Sequence, residues 1–163
     1  MDLQDMVDRT PPPLDVSQFI AALPQFTRPL RVAAPCVGIH GCGEAMSIMK
    51  VACETNNAFD LQEGYNMCLV QQLLEHGMQR VQIDSILRLG KHTGDLMRVS
   101  LDSLDLPVDI LCCGPPCPPW AGQGSKKNLK DIRAKVFLRI LNWVVVLAHC
   151  GGLLCVVIEN VKG

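Results

Sequence analysis

Apolar residues in this chain fall in short blocks punctuated by glycine and proline. The purest block is Leu153 to Ile158, an unbroken run of six, which reads as a strand in the middle of a parallel sheet with both faces covered. Val108 to Cys113 is another strand, the fourth in chain order, ended by Gly114 and the prolines behind it. Between the two, Val136, Phe137, Ile140, Leu141, Val144 and Leu147 recur at helical spacing, predicting a helix from about Asp131 to His149. Upstream, Arg31 to Gly38 is a candidate first strand, weakened by Pro35. A helical pattern follows from Ala45 to about Cys53. Asn57-Ala58-Phe59-Asp60 reads as the end of a second strand, Gln62 to Glu75 as a helix, and Gly77 as its stop. Residues 78–92 fit a helix or a short strand pair, and Gly94-Asp95-Leu96 reads as the end of another strand. Alternating strands and helices predict an α/β fold with a parallel sheet and helices on both faces.

Composition supports a folded domain. Hydrophobic residues make up 48% of the 163 positions and charged residues 19%, too apolar a balance for disorder. Residues 1–30 stand apart as a poorly ordered leader, with Thr10-Pro11-Pro12-Pro13 favouring an extended helix and Ser17 to Leu23 room for one short helical turn. The compact domain is therefore expected over residues 31–163. No apolar run is long enough to span a bilayer, and the acidic start lacks the basic region of a secretory signal. The nine cysteines, an odd number scattered through apolar stretches, fit reduced thiols in an intracellular protein better than a disulfide framework. No Cys-x-x-Cys pair is present, so no metal site is expected. Net charge is −1 but uneven. Lys126, Lys127, Lys130, Arg133, Lys135 and Arg139 against Asp131 leave residues 126–139 at +5. That is a solvated helix face or an anion-binding segment.

Candidate chemistry gathers where strands are predicted to end. Gly114-Pro115-Pro116-Cys117-Pro118-Pro119 places a thiol just past a strand, with φ fixed by four prolines. The following Gly122-Gln123-Gly124-Ser125 suits a mobile loop. Gly38-Ile39-His40-Gly41-Cys42-Gly43 between a strand and a helix lets a nucleotide-like ligand approach backbone N–H groups. That motif is common by chance, and His40 and Cys42 read as turn and packing residues. Asp60, about 20 residues beyond it, stands where a carboxylate meets ribose hydroxyls in dinucleotide-type sites.

These pieces, in this order, resemble the cytosine-5 DNA methyltransferases. Gly114 to Ala121 resembles the family's Pro-Cys-Gln-Pro-Phe-Ser stretch, and Glu159-Asn160-Val161 its Glu-Asn-Val. Gly94-Asp95-Leu96 resembles Gly-Asp-Ile, Phe59-Asp60 the second-strand acid, and Arg133 to Phe137 its Arg-Gly-x-Leu-Phe. The likeness runs over about residues 32–163. Departures are Pro118 for Gln, Ala121 for Ser, Ile39 for an aromatic and Glu44 for a glycine. The sequence given stops just after Glu-Asn-Val, before the family's Arg-x-Arg motif, recognition region and last strands. The expectation is thus an incomplete parallel sheet, Rossmann-like, with little activity in these residues alone.

The resemblance implies S-adenosyl-L-methionine as cofactor, held by Ile39, Gly41, Gly43, Asp60, Asp95, Leu96, Pro116 and Val136. It implies Cys117 as nucleophile, Glu159 on the cytosine ring and Asn160 holding the turn. Ser125, Lys126, Lys127, Lys130 and Arg133 would meet nucleic-acid phosphates, and Trp120 would pack the loop. DNA is the implied partner, with a nuclear location if the source is eukaryotic. RNA as substrate, or a non-catalytic remnant binding DNA or a partner methyltransferase, are the competing readings. Oligomeric state is not legible.

Overall fold

In the computed structural model, residues 26–38, 41–91, 94–121, 128–150 and 152–160 are described, excluding the side chains of 88–91 and 128. Four strands form one parallel sheet in the order β2-β1-β3-β4. They are β1 (Leu30–Pro35), β2 (Cys53–Phe59), β3 (Ile110–Cys113) and β4 (Cys155–Ile158). The helices are α1 (Gly41–Ile48), α2 (Glu63–Glu75), α3 (Arg80–Lys91) and α4 (Ala134–His149). The expected α/β, Rossmann-like arrangement is what the chain adopts.

Strand alternation sends successive side chains to opposite faces. On one face Ala33, Phe59, Leu111 and Cys113 pack with Ile140, Trp143 and Leu147 of α4. Phe59 meets the Trp143 ring edge-on at 6.0 Å, a favoured aromatic geometry. On the other face Ala34 and Ala58 pack under Leu69 and Leu73 of α2 and Ile83, Ile86 and Leu87 of α3. Beside them Val32 and Ile110 lie under Met46 of α1. Helices thus cover both faces.

Three expectations are corrected and one open reading is resolved. α1 begins at Gly41 and is over by Ile48, so Cys53 opens β2 instead of closing a helix. The stop is a left-handed Lys50 (φ 56°), with Val51 N–H on the Met46 carbonyl and Lys50 N–H on that of Ser47, the two bonds of a Schellman closure. Residues 78–92 resolve as α3, whose Ile83, Ile86 and Leu87 share the i, i+3, i+4 face of a helix. Gly94-Asp95-Leu96 ends no strand among the described residues; it makes a bend and turn after α3. Finally, β4 lies at an edge of the described sheet, with Cys155 and Val157 exposed rather than covered.

Residues 26–30 of the expected leader are tied down. The Arg28 guanidinium donates to both carboxylate oxygens of Asp109 at 2.6 and 2.7 Å, and Arg31 N–H donates to the same carboxylate at 2.7 Å. Asp109 is 1% exposed. The remainder of the leader, residues 1–25, lies outside the described residues.

Candidate active site

The sheet order puts the topological switch between β1 and β3: from β1 the chain moves outward to β2, then returns to β3 on the other side. Open parallel sheets bind ligands at the carboxyl ends of strands at such a switch. A cavity of about 450 Å³ sits there, within the range of small-molecule sites. Cys36, Val37 and Gly38 wall it after β1, Gly41 and Cys42 at the start of α1, and Cys112, Cys113 and Gly114 at the end of β3. Val157 and Glu159 close it from β4.

Behind the Cys36 wall lie two acids, Asp60 and Asp95, which do not line the cavity themselves and are held by backbone. Asp60 is buried, accepting hydrogen bonds from Gly38 N–H at 3.1 Å and from Gln62 N–H at 2.9 Å. Asn66 clamps the same residue, accepting from Asp60 N–H and donating to its carbonyl, each at 2.9 Å. Gly94, at φ 51°, lies so close that a β-carbon there would stand 2.8 Å from the Asp60 carbonyl oxygen. The next residue, Asp95, accepts from Met97 N–H. Cys36 stands between these groups. Burial pushes its thiol up to about 12, helped by the nearby charges of Asp60 and Asp95. Strand-end acid, glycine bend and second acid therefore converge on one wall residue.

The opposite side carries the cysteine turn. Glu159 N–H donates to the Cys113 carbonyl at 3.0 Å, continuing the β3–β4 ladder by one residue. This ladder brings the Glu159 carboxylate to Gly114; a β-carbon there would lie 3.4 Å from Oε2. Asn160 Nδ2 donates to the Pro115 carbonyl at 3.4 Å. After the prolines, Cys117 is half-buried, and its carbonyl accepts from both Trp120 and Ala121 N–H at 2.9 Å. Trp120 packs edge-on against Phe137 at 5.4 Å, fixing the turn to the first turns of α4. Arg133 lies near enough for the Cys117 thiolate to help raise the guanidinium, although Asp131, held at 2.7 Å, is the larger cause.

Not every candidate lines the cavity. Gly41 and Glu159 do, whereas Gly43 faces a separate cavity of about 350 Å³ beside His76 and Gln82. Leu96 is buried in the core beneath α4, and Val136 packs against that cluster. Pro116 is half-buried in the cysteine turn. Lys130 and Arg133 are exposed just before α4. Ile39, Ser125, Lys126 and Lys127 lie outside the described residues. The cavity is also walled by four thiols, Cys36, Cys42, Cys112 and Cys113, to which motif reading gave no role in a site. Burial pushes Cys113 to about 12, and Cys112 is raised chiefly by its hydrogen bond to Cys42. No group of three or more histidine, cysteine or acidic side chains able to hold a metal occurs among the described residues, nor a helix long and apolar enough to cross a membrane.

Residues 83–163 match the profile of the C-5 cytosine-specific DNA methylase family. Over these residues the chain belongs to that family. The matched segment contains the Gly94-Asp95 bend, the Cys117 turn, Arg133 to Phe137 and Glu159-Asn160, so all four parts of the site built after α3 lie within it. The glycine turn and Asp60 precede it. No curated relative matches the chain.

Proposed function

We propose that this chain carries the chemical centre of a DNA (cytosine-5-)-methyltransferase that uses S-adenosyl-L-methionine. One observation carries the reading: the Glu159 carboxylate rests against Gly114, at the head of the turn that presents Cys117, on the rim of the switch-point cavity. The cavity's size and its backbone-rich walls suit that cofactor. Gly38 and Gly41 allow close approach, and Asp60 and Asp95 converge on Cys36 just behind its wall. When bound, the cofactor supplies an electrophilic methyl group.

The chain's residues do the rest. Carbon 5 of cytosine is a weak nucleophile, so the ring must first be activated. The Cys117 thiolate adds to carbon 6, and the electron pair displaced from the 5,6 double bond makes carbon 5 nucleophilic. Glu159, carrying a proton, donates it to ring nitrogen 3 and accepts from the exocyclic amine, so the ring takes up that proton as sulfur attacks. Asn160 acts at one remove, bracing Glu159 through the Pro115 carbonyl. Once carbon 5 is methylated, its proton leaves to a base and the carbon–sulfur bond breaks, restoring the ring and the thiolate. A base inside a duplex cannot meet Cys117, so the nucleotide must be extruded. Lys130 and Arg133 are placed to hold phosphates without reading sequence.

The test is covalent capture by the complete protein on duplex DNA carrying 5-fluorocytosine, with cofactor present. Fluorine at carbon 5 blocks the final elimination, so a denaturant-stable adduct should form and disappear in Cys117→Ser. An adduct that survives the substitution would refute the assignment. An adduct formed on fluorinated RNA alone would move the substrate to RNA.

A further inference from the structure

Strand alternation divides the two adjacent thiols of β3 between the faces of the sheet. Cys113 packs with Leu111 and with Ile140 and Trp143 of α4. Cys112 goes to the other face, against the cluster of Leu30, Val32 and Ile110. Cys42, the second residue of α1, packs against that same cluster. Cys112 and Cys42 share a hydrogen bond that holds the proton on Cys112. Both are half-buried, and both wall the switch-point cavity. A small solute entering the cavity therefore meets two thiols already in contact.

The elements that carry them are held unequally. None of the eight residues of α1 is buried, whereas Ile110 and Leu111 anchor β3 in the core. A disulfide sets its sulfurs about 2 Å apart, closer than any hydrogen bond between them. Closing one draws α1 toward β3. Gly41, beside Cys42, and Gly114, two positions past Cys112, both wall the cavity. They approach each other as the sulfurs join.

We propose that Cys42 and Cys112 form a reversible disulfide that locks α1 onto β3 and narrows the cavity. The oxidant is a hydroperoxide, in the simplest case hydrogen peroxide. Cys112 keeps its proton, so Cys42 attacks first. Its sulfur gives up a proton and bonds to one peroxide oxygen; the O–O bond breaks, and the departing hydroxide takes the proton and leaves as water. The Cys112 sulfur then attacks the Cys42 sulfenic acid. The S–S bond forms, the S–O bond breaks, and the hydroxyl leaves with the Cys112 proton as a second water. Two thiols have lost two electrons to the peroxide. Two equivalents of a small thiol, joined in turn as a disulfide, return them. That the narrowed cavity holds the cofactor rests on the function proposed above. On that reading the coupling is mutual: a disulfide that weakens the cofactor about tenfold is itself made easier to reduce by bound cofactor, by about 30 mV.

The complete protein is treated with hydrogen peroxide, digested without reductant and mapped by mass spectrometry. A linked peptide should join Cys42 to Cys112, and dithiothreitol should release it. Recovery of the two cysteines unlinked, or of Cys42 joined instead to Cys53 or Cys113, would overturn the proposal. That measurement needs no substitution, so a folding defect cannot imitate its result. Calorimetric titration with S-adenosyl-L-methionine then compares oxidised and reduced protein, both carrying Cys117→Ser so that oxidation of the nucleophile plays no part. Affinity should fall about tenfold on oxidation and return with dithiothreitol, and a further Cys42→Ser should abolish the difference. A mapped linkage with unchanged affinity would overturn the narrowing. A reduced protein that binds no cofactor would instead refute the reading of the cavity, leaving the disulfide standing on its mapped peptide.

Discussion

The backbone of Gly94 touches that of Asp60: a β-carbon on Gly94 would sit 2.8 Å from the Asp60 carbonyl oxygen. Gly94 also has φ 51°, a conformation that costs an alanine about 1–2 kcal/mol. Gly94→Ala should therefore destabilise the protein by about 3 kcal/mol, strain and contact together. It should also displace Asp60 and weaken cofactor binding. Thermal unfolding and calorimetric titration with S-adenosyl-L-methionine measure the two effects. Tight binding in a destabilised variant would separate Asp60 from the cofactor site.

Asp109 holds the amino-terminal end of the described chain to β3. Arg28 and the Arg31 N–H lower its carboxyl below the ordinary carboxylate value, against the opposing effect of burial. A carboxylate with a depressed folded value contributes stability above its unfolded value of about 3.9 and loses it as pH falls through the folded value. Acid unfolding below about pH 4 should thus be shallower in Asp109→Asn. Asp109→Ala, which removes the carboxylate partner of a part-buried Arg31 N–H and of Arg28, should cost about 2 kcal/mol at pH 7. Denaturant melts across pH 2–7 provide the comparison.

The cavity thiols should react slowly. With values of about 12, Cys36 and Cys113 hold about a thousandfold less thiolate at pH 8 than a free cysteine. Iodoacetamide should label both slowly, with rates still climbing above pH 10. Mapping by mass spectrometry checks this. Fast labelling at Cys113 would contradict the buried wall described above.

Gly114 gives Glu159 its room. Gly114→Val would drive a methyl into the space of the Glu159 carboxylate, while Gly114→Ala leaves ordinary contact at 3.4 Å. Glu159→Gln should lower methyl transfer at least about 100-fold. Because Glu159 is exposed, the melting temperature should hardly move. Gly114→Val should follow Glu159→Gln in activity, and Gly114→Ala should stay near the parent. Steady-state assays of the complete protein distinguish these outcomes.

Much of this arrangement is readable from spacing because its parts are local. A strand ending in glycine and proline must turn, so Cys117 had to leave the sheet, and the apolar run to Ile158 had to deliver Glu159 beside it. The helical stripe from Val136 to Leu147 was equally plain. Features that depend on distant partners were not. Nothing near Arg28 in sequence announces Asp109, 81 positions away, and β4 looks central because its own residues are apolar, whatever covers them. The third-strand expectation failed differently. Gly94 and Asp95 carry a strand-end motif, yet Ile83, Ile86 and Leu87 before them already had helical spacing, and the motif's position survives without the strand.

Trp120 and Phe137 meet ring to ring, so the turn that carries Cys117 is bolted to the head of α4. A movement of that helix would therefore be felt at the cysteine without any change in the sheet.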